Sequence, residues 1–283
     1  MVDDSAALRH TNLDIQLSGQ ERQKKMKLPT SLSYQLLGAS SGIGAATAQL
    51  FSRFGASLSL TGRNTKNLEE IAQKCINEKT HKPPLTIQAD LNNEGDTKRI
   101  VDETIKHYGR IDILVNNAGI IELGTILNTS LEQYDRVMNT NIRSIYHLTM
   151  LAVPHLIETK GNVVNISSVN GIRSFAGVLA YNVSKAAVDQ FTRCVALELA
   201  EKKVRVNCVN PGVIITELQK RGGLNEEAYA AFLERAKLTH ALGRPGEPDE
   251  VAATIAFLAS DDASFITGVS VPVDGGRHAM CPR

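Results

Sequence analysis

A phenol and an ammonium stand four residues apart at Tyr181 and Lys185. On a helix that spacing puts both on one face, one turn from each other. A phenol has an ordinary pKa of about 10 and is a poor acid near neutrality. A neighbouring ammonium favours the phenolate and lowers that value, so the pair can give or take a proton near pH 7. The spacing also arises by chance on solvated helix faces. It gains weight only if other residues converge on the same chemistry.

Composition narrows the field. The chain has 283 residues, of which 42% are hydrophobic and 22% charged, as in an ordinary globular protein of one large α/β domain or two small ones. A net charge of +1 gives no basis for nucleic acid or an anionic membrane as the main partner. Cys75, Cys194, Cys208 and Cys281 lack metal-ligand spacing and are too few for a disulfide scaffold, so they read as free thiols in a reducing compartment. No apolar run approaches the ~20 residues of a membrane span. Asp3, Asp4 and Asp14 speak against a secretory or mitochondrial leader, which leaves the cytosol.

The elements that would position Tyr181 and Lys185 alternate along the chain. Residues 1–33 are polar, without clear periodicity, and read as a mobile arm. From residue 34 a short strand runs into the glycine turn Gly38-Ala39-Ser40-Ser41-Gly42-Ile43-Gly44, and an alanine-rich helix follows. Glycines there let backbone approach a ligand, and the helix N-terminus offers free N–H groups to a pyrophosphate. A strand over 56–60 ends at Thr61-Gly62-Arg63. Dinucleotide folds carry an acid near that position for the ribose 2′-hydroxyl. Here no acid stands, and Arg63 is placed to meet a 2′-phosphate, favouring NADP(H) over NAD(H). Further strands at 85–88, 113–115, 163–166 and 204–209 alternate with helices, including one over 131–158 and one over 178–200. Short apolar strands between helices predict a doubly wound parallel sheet covered on both faces.

Taken in order, Gly38 to Gly44, Asp90-Leu91, Asn116-Asn117-Ala118-Gly119, Asn139-Thr140-Asn141, Ser168, Tyr181 with Lys185, Pro211-Gly212 and Val273-Asp274-Gly275-Gly276 resemble the short-chain dehydrogenase/reductase family. The resemblance extends to its 3-oxoacyl-acyl-carrier-protein-reductase-like members through Leu242-Gly243-Arg244-Pro245 and the helix after Pro248. It implies a single-domain Rossmann fold over 34–283 and roles for particular residues. Tyr181 would be the general acid when a carbonyl is reduced. Lys185 would lower its pKa and hold the nicotinamide ribose. Ser168 would donate to the substrate oxygen, and Asn141 would hold a water in a proton relay. The glycine turn, through Gly38, Ser40, Ser41, Gly42, Ile43 and Gly44, would bind the cofactor. Asp90 and Leu91 would meet its adenine, and Asn117, Ala118 and Gly119 its ribose. Pro211, Gly212, Ile214 and Thr216 would line the nicotinamide end. The partner implied is a small carbonyl or alcohol substrate, with assembly as a homotetramer.

The substrate pocket falls to Ser168, Asn170, Arg173, Phe175, Val213 and Leu218, under a charged helical flap over 216–240 that reads as a lid. The first strand departs from the family. Leu37 precedes the first glycine where the family has threonine, and Gln35 sits where a buried strand wants Val or Leu. An unpaired buried amide would cost ~1–3 kcal/mol, weakening strand one and cofactor binding. An alternative start or a wrong gene model would account for residues 1–37. Two rivals remain beside the NADP(H)-dependent reductase. One is an NAD-linked alcohol or hydroxysteroid dehydrogenase; the other is a catalytically idle nucleotide-binding scaffold.

Overall fold

Seven parallel strands in the order β3-β2-β1-β4-β5-β6-β7 form one sheet in the computed structural model, which describes residues 33–80 and 83–281. The polar arm expected over 1–33 lies almost wholly outside the described residues. The strands are β1 (Ser33–Leu37), β2 (Ser57–Gly62), β3 (Leu85–Gln88), β4 (Ile113–Asn116), β5 (Asn162–Ile166), β6 (Arg205–Pro211) and β7 (Ser270–Val273). Helices α1 (Gly42–Arg53), α2 (Thr65–Lys74), α3 (Glu94–Tyr108), α4 (Leu131–Met138), α5 (Ser144–Thr159), α6 (Val169–Ile172), α7 (Leu179–Leu199), α8 (Leu218–Arg221), α9 (Glu226–Thr239) and α10 (Pro248–Ala259) fill the connections.

Side chains alternate across each strand, and the sheet therefore has two cores. Tyr34, Leu36, Val115 and Val164 pack under α1, α2 and α10 with Phe51, Leu68 and Ile255. Leu37, Leu114 and Val163 pack on the other face against Ile100, Leu148 and Ala196 of α3, α5 and α7. Chain order reverses at β1, which pairs in parallel with β2 on one side and with β4 on the other. At such a switch point the crevice beyond the strand ends receives ligands. Among the described residues no helix is long and apolar enough to cross a membrane.

Strand one corrects an expectation. Gln35 is fully buried, yet its amide is paired. Nε2 donates to Thr61 Oγ1 at 3.1 Å, and Oε1 accepts from Thr104 Oγ1 at 2.5 Å. Ser59 Oγ lies 2.9 Å from the same threonine oxygen. The partners come from β2 and α3, so nothing local in the sequence announced them. The buried hydroxyls of this strand without a partner among the described residues are instead that of Ser33 and, next to it, that of Tyr34. Burial pushes the Tyr34 pKa well above the ordinary value. The ring itself packs on Phe51 at 4.7 Å between centroids.

The long helix expected over 131–158 is also not uniform. It widens to a π turn at Asn139–Arg143, between α4 and α5. Such one-turn bulges recur at functional sites because they re-aim a side chain inward. Here the bulge carries Asn141, which is wholly buried.

Tyr34→Phe should therefore raise stability by about 1 kcal/mol, because it removes an orphaned hydroxyl and keeps the ring. Gln35→Leu should lower it by about 1–3 kcal/mol, by taking from Thr61 its partner and from Thr104 one of its partners. Urea unfolding of both variants checks the pair; the reverse order would contradict this assignment.

Candidate active site

The glycine turn closes on itself. Gly38 turns at φ 64°, in the left-handed region. Gly44 then comes so near that a Cβ there would lie 2.2 Å from the Gly38 carbonyl oxygen. Asn117, beyond β4, donates Nδ2 to the carbonyls of Leu37 and Gly38 at 3.2 and 3.1 Å. Its amide is thus spent on locking the turn, which leaves Ala118 and Gly119 to border the crevice. Ser41 begins α1 without a side-chain cap, and the N–H groups of Gly42, Ile43 and Gly44 have no acceptor among the described residues. Free donors at the positive end of a helix suit a diphosphate. The residues present therefore fit a dinucleotide. Ser41 Oγ accepts from Arg221 Nη2 at 2.7 Å, and Ser40 Oγ lies beside Gly62.

A groove of about 370 Å³ opens beside this turn, between Arg63, Gln88, Ala89, Asp90, Asp96 and Arg99. Arg63 is exposed and has no ion-pair partner among the described residues. Arg99, which sequence reasoning missed, donates to the Gln88 carbonyl at 2.6 Å and to Asp96 at 2.9 Å. Asp90 holds a turn, accepting from Asn92 N at 3.0 Å, while Leu91 packs into the core.

Tyr181, Lys185 and Ser168 are all nearly sealed from water, at 7, 4 and 6% exposure. Helix α7 buries the face that carries Tyr181, Ser184, Lys185, Val188 and Asp189, as the spacing predicted. Lys185 Nζ donates to the Ile166 carbonyl at 2.8 Å and lies 5.6 Å from the centre of the Tyr181 ring. The expected lowering of the phenol pKa is not what this environment gives. Burial pushes Tyr181 up to about 12, against a smaller downward pull from the Ser168 hydroxyl. Burial likewise brings Lys185 down to about 8, with Asp189 one turn further on opposing the fall. Loss of hydration dominates both shifts because both groups are enclosed. At pH 7 the phenol is therefore a protonated acid beside a protonated lysine.

Asn141 faces the same place. Oδ1 accepts from Ile120 N at 2.8 Å, and Nδ2 donates to the Ile120 carbonyl at 2.8 Å and to Ser184 Oγ at 3.0 Å. Both amide protons are committed, which fixes the π turn against the loop that follows β4 and against α7. Beneath this, Asn116 donates to Asn165, and Asn165 to Thr192, at 2.8 and 2.9 Å.

On the far side, Pro211 and Gly212 end β6, and Val213 and Ile214 are buried after them. His240, also missed in the sequence, anchors this turn. Its Nε2 accepts from Val213 N at 3.0 Å while Nδ1 donates to the Ala236 carbonyl at 2.8 Å. That arrangement requires the neutral ring, and burial lowers its pKa accordingly. The flap forms α8 and α9. Thr216 packs beside Gly42 and its carbonyl accepts from Tyr229 Oη at 3.0 Å. Leu218 N donates to Thr216 Oγ1 at 3.4 Å. Arg221 on Ser41, and Gly222 against Ile121, bring the flap across the crevice.

A crevice of this kind, with orphan helix donors at the switch point and a buried serine, tyrosine and lysine beside them, belongs to oxidoreductases that use a nucleotide cofactor. Comparison with known proteins narrows the class. A family model described as enoyl-(acyl carrier protein) reductase matches residues 38–278. The chain is 37% identical over 242 residues to 3-oxoacyl-(acyl-carrier-protein) reductase FabG of Thermotoga maritima, covering 85% of this chain and 95% of the relative. It is 36% identical over 244 residues to meso-2,3-butanediol dehydrogenase of Serratia marcescens, covering 86% and 93%. A crystal structure of 3-ketoacyl-(acyl-carrier-protein) reductase from Brucella melitensis complexed with NADH superposes with a TM-score of 0.80 at 30% identity, covering 87% of this chain and 98% of that one. The chain belongs to the short-chain dehydrogenase/reductase family.

Gly44→Ala should open the turn, because the clash is with backbone that cannot yield. We expect a loss of about 3 kcal/mol or more in stability and no measurable nucleotide binding. Thermal unfolding and nicotinamide-fluorescence titration check both; a variant that binds normally would show that the turn does not hold the cofactor.

Proposed function

We propose that this chain reduces a ketone to a secondary alcohol with NADPH, or runs the reverse oxidation with NADP⁺, with Tyr181 as general acid or base. What carries the reading is the enclosure of Tyr181, Ser168 and Lys185 together, beside a helix terminus with unpaired N–H groups. The cofactor supplies or accepts the hydride when bound. Gly38, Ser40, Ser41, Gly42, Ile43 and Gly44 would hold its diphosphate. Arg63 would meet the 2′-phosphate, Asp90 and Leu91 the adenine, and Ala118 and Gly119 the ribose. Pro211, Gly212, Ile214 and Thr216 would border the nicotinamide.

The chain's own groups do the rest. Negative charge grows on the carbonyl oxygen during reduction, and two hydroxyls, on Ser168 and Tyr181, would receive it. A donor so aimed is worth about 3–4 kcal/mol. Tyr181 then gives its proton to the nascent alkoxide. Its raised pKa keeps it protonated at pH 7, so that the proton is there to be given to the more basic alkoxide. The Lys185 ammonium stabilises the phenolate left behind, and Asp189 supports that charge. Asn141 belongs to the same proposal as the holder of a relay water. Asn170, Phe175, Val213 and Leu218 would shape the pocket. Tetrameric assembly is proposed with it, on the exposed Tyr146, Met150, Val183 and Leu197 of α5 and α7. A cytosolic location is part of the same reading and rests on the unbridged cysteines. The NAD-linked reading is favoured by the NADH-bound neighbour.

Titration with NADPH and NADH decides the cofactor. Arg63→Ala should weaken NADPH about ten- to a hundredfold, the worth of one charge-assisted contact, and leave NADH unchanged; equal losses would remove the basis for NADP(H). Turnover is then measured on butane-2,3-dione and an acetoacetyl thioester, chosen from the relatives' chemistry. Tyr181→Phe should cut kcat by about 10²–10⁴; unchanged turnover would end the catalytic assignment. The rate of reduction should fall as pH rises through about 8, where Lys185 loses its proton. Asp189→Asn should move that limb to lower pH, because it removes the charge that holds the proton on. A limb that stays in place would show that Lys185 does not set it.

A further inference from the structure

The loop after Ser168 is tied to the C-terminal segment by bonds that no part of the site requires. Arg173 Nη1 donates to the main-chain carbonyls of Arg277, His278 and Met280, at 3.2, 2.9 and 2.6 Å. Arg277 in turn lays its guanidinium over the Phe175 ring, 4.4 Å from its centre. The segment is itself held by Asp274, which accepts from His278 N at 2.6 Å and from Gly276 N at 3.1 Å. Arg173 therefore does not present its charge to a substrate; it is spent on carbonyl oxygens.

From Phe175 a line of amides leads back to Ser168. The Phe175 carbonyl accepts from Asn182 Nδ2 at 2.7 Å. Asn182 Oδ1 accepts from Asn170 Nδ2 at 2.7 Å. Asn170 Oδ1 accepts from Ser168 Oγ at 3.2 Å, and Asn170 N donates to that same oxygen at 3.1 Å. The polarity of this line has only one solution. A main-chain carbonyl can only accept, so Asn182 must turn its NH₂ group to Phe175. Its oxygen then faces Asn170, whose NH₂ group is thereby drawn to Asn182 and whose oxygen is left facing Ser168. Along this line the acceptor of the serine proton is Asn170 Oδ1, with the Tyr181 oxygen the other partner of the hydroxyl, and the serine oxygen already takes an N–H bond that strengthens it as a donor.

We propose that Asn170, Asn182 and Arg173 are positioning residues, through which the segment 277–280 sets the direction of the Ser168 O–H bond and so the orientation in which a carbonyl is received. The proposal rests on the reading of Ser168 as the donor to the substrate oxygen. A carbonyl entering the pocket takes the serine proton over from Asn170 Oδ1, a short rotation of one hydroxyl. Without Asn182 the Asn170 amide is free to turn, and its NH₂ group would then make Ser168 an acceptor. Without Arg173 the loop that carries the Phe175 carbonyl loses its anchor.

The test uses the full chain with NADPH and butane-2,3-dione. Asn182→Leu should lower kcat/KM about tenfold, the worth of one oriented hydrogen bond, with the NADPH dissociation constant and melting temperature nearly unchanged. Arg173→Leu should lower it about threefold, and Arg173→Lys should recover most of that, since an ammonium can donate to the same carbonyls. The double variant Asn182→Leu/Arg173→Leu should lose less than the product of the single losses, because both act on one line. In parallel, hydrogen exchange of the amides over 168–178 should quicken in Arg173→Leu. Full kcat/KM in both variants, losses that multiply, or unchanged exchange would each overturn the positioning line. A wild-type chain that binds NADPH but turns over neither carbonyl would overturn the proposed function instead, and the exchange measurement would still decide the line.

Discussion

Lys185 carries its charge inside the molecule. Its ammonium is enclosed at 4% exposure and donates to one main-chain carbonyl, that of Ile166. Removing an ammonium from water is costly, and burial brings its pKa down to about 8 against the opposing charge of Asp189. The surroundings are arranged to make it tolerable. Asp189 lies on the same helix face one turn on, and is itself held by Asn210 Nδ2 at 3.0 and 3.1 Å. Ser167 Oγ donates to the carbonyl of Lys185 at 3.0 Å and so ties α7 to the end of β5. Gly171 stands where a Cβ would meet Asp189 Oδ2 at 2.3 Å. The close approach of α6 to α7 thus depends on glycine.

Buried polar side chains recur throughout the layer beneath the strand ends, and most of them find partners there, although Asn116 Oδ1 has none among the described residues. Asn116, Asn165 and Thr192 join β4, β5 and α7 below the crevice. Gln35, Thr61 and Thr104 join β1, β2 and α3 on the far side. Asn117 binds the glycine turn to β4, and Asn141 binds the π turn to Ile120 and Ser184. Pairing of this kind costs little stability while it is complete, and much when one partner is removed. It fixes the relative positions of strand ends that apolar packing alone would leave adjustable. The turn, the serine, the tyrosine and the lysine therefore share one rigid frame, and the flap is the part laid over it.

The parallel sheet, its helices and the order of the site segments were legible because they follow from local pattern. Apolar runs of four to seven residues bounded by glycine and asparagine mark strands, and the glycine turn lies where strand gives way to helix. The residues that were missed act across long stretches of chain. Arg99 reaches the groove beside Arg63 from α3, and His240 holds the turn after β6 from the end of α9. Asn182 sits beside Tyr181 in the sequence, but its significance lies in partners at Asn170 and Phe175 that only the fold brings near. Gln35 was misjudged for the same reason. Its type is wrong for a buried strand, but its environment supplies both a donor and an acceptor.

By itself, the sequence determined which residues share a face. Tyr181 and Lys185 align because a helix repeats every 3.6 residues, and the free donors of α1 follow from a strand meeting glycine and then helix. Those are properties of the local backbone. Tertiary structure alone decided how each group behaves once aligned. Whether a phenol is raised or lowered depends on how much water the rest of the chain excludes. The spacing argued for lowering, but the enclosure raised it to about 12. Whether a buried amide is a fault or a fastening depends on what the other elements bring to it. Thr104 lies 69 residues from Gln35 in the chain and donates directly to it in the fold. Dielectric environment and hydrogen-bond partnership are sums over neighbours in space, and those neighbours exist only after the chain has folded.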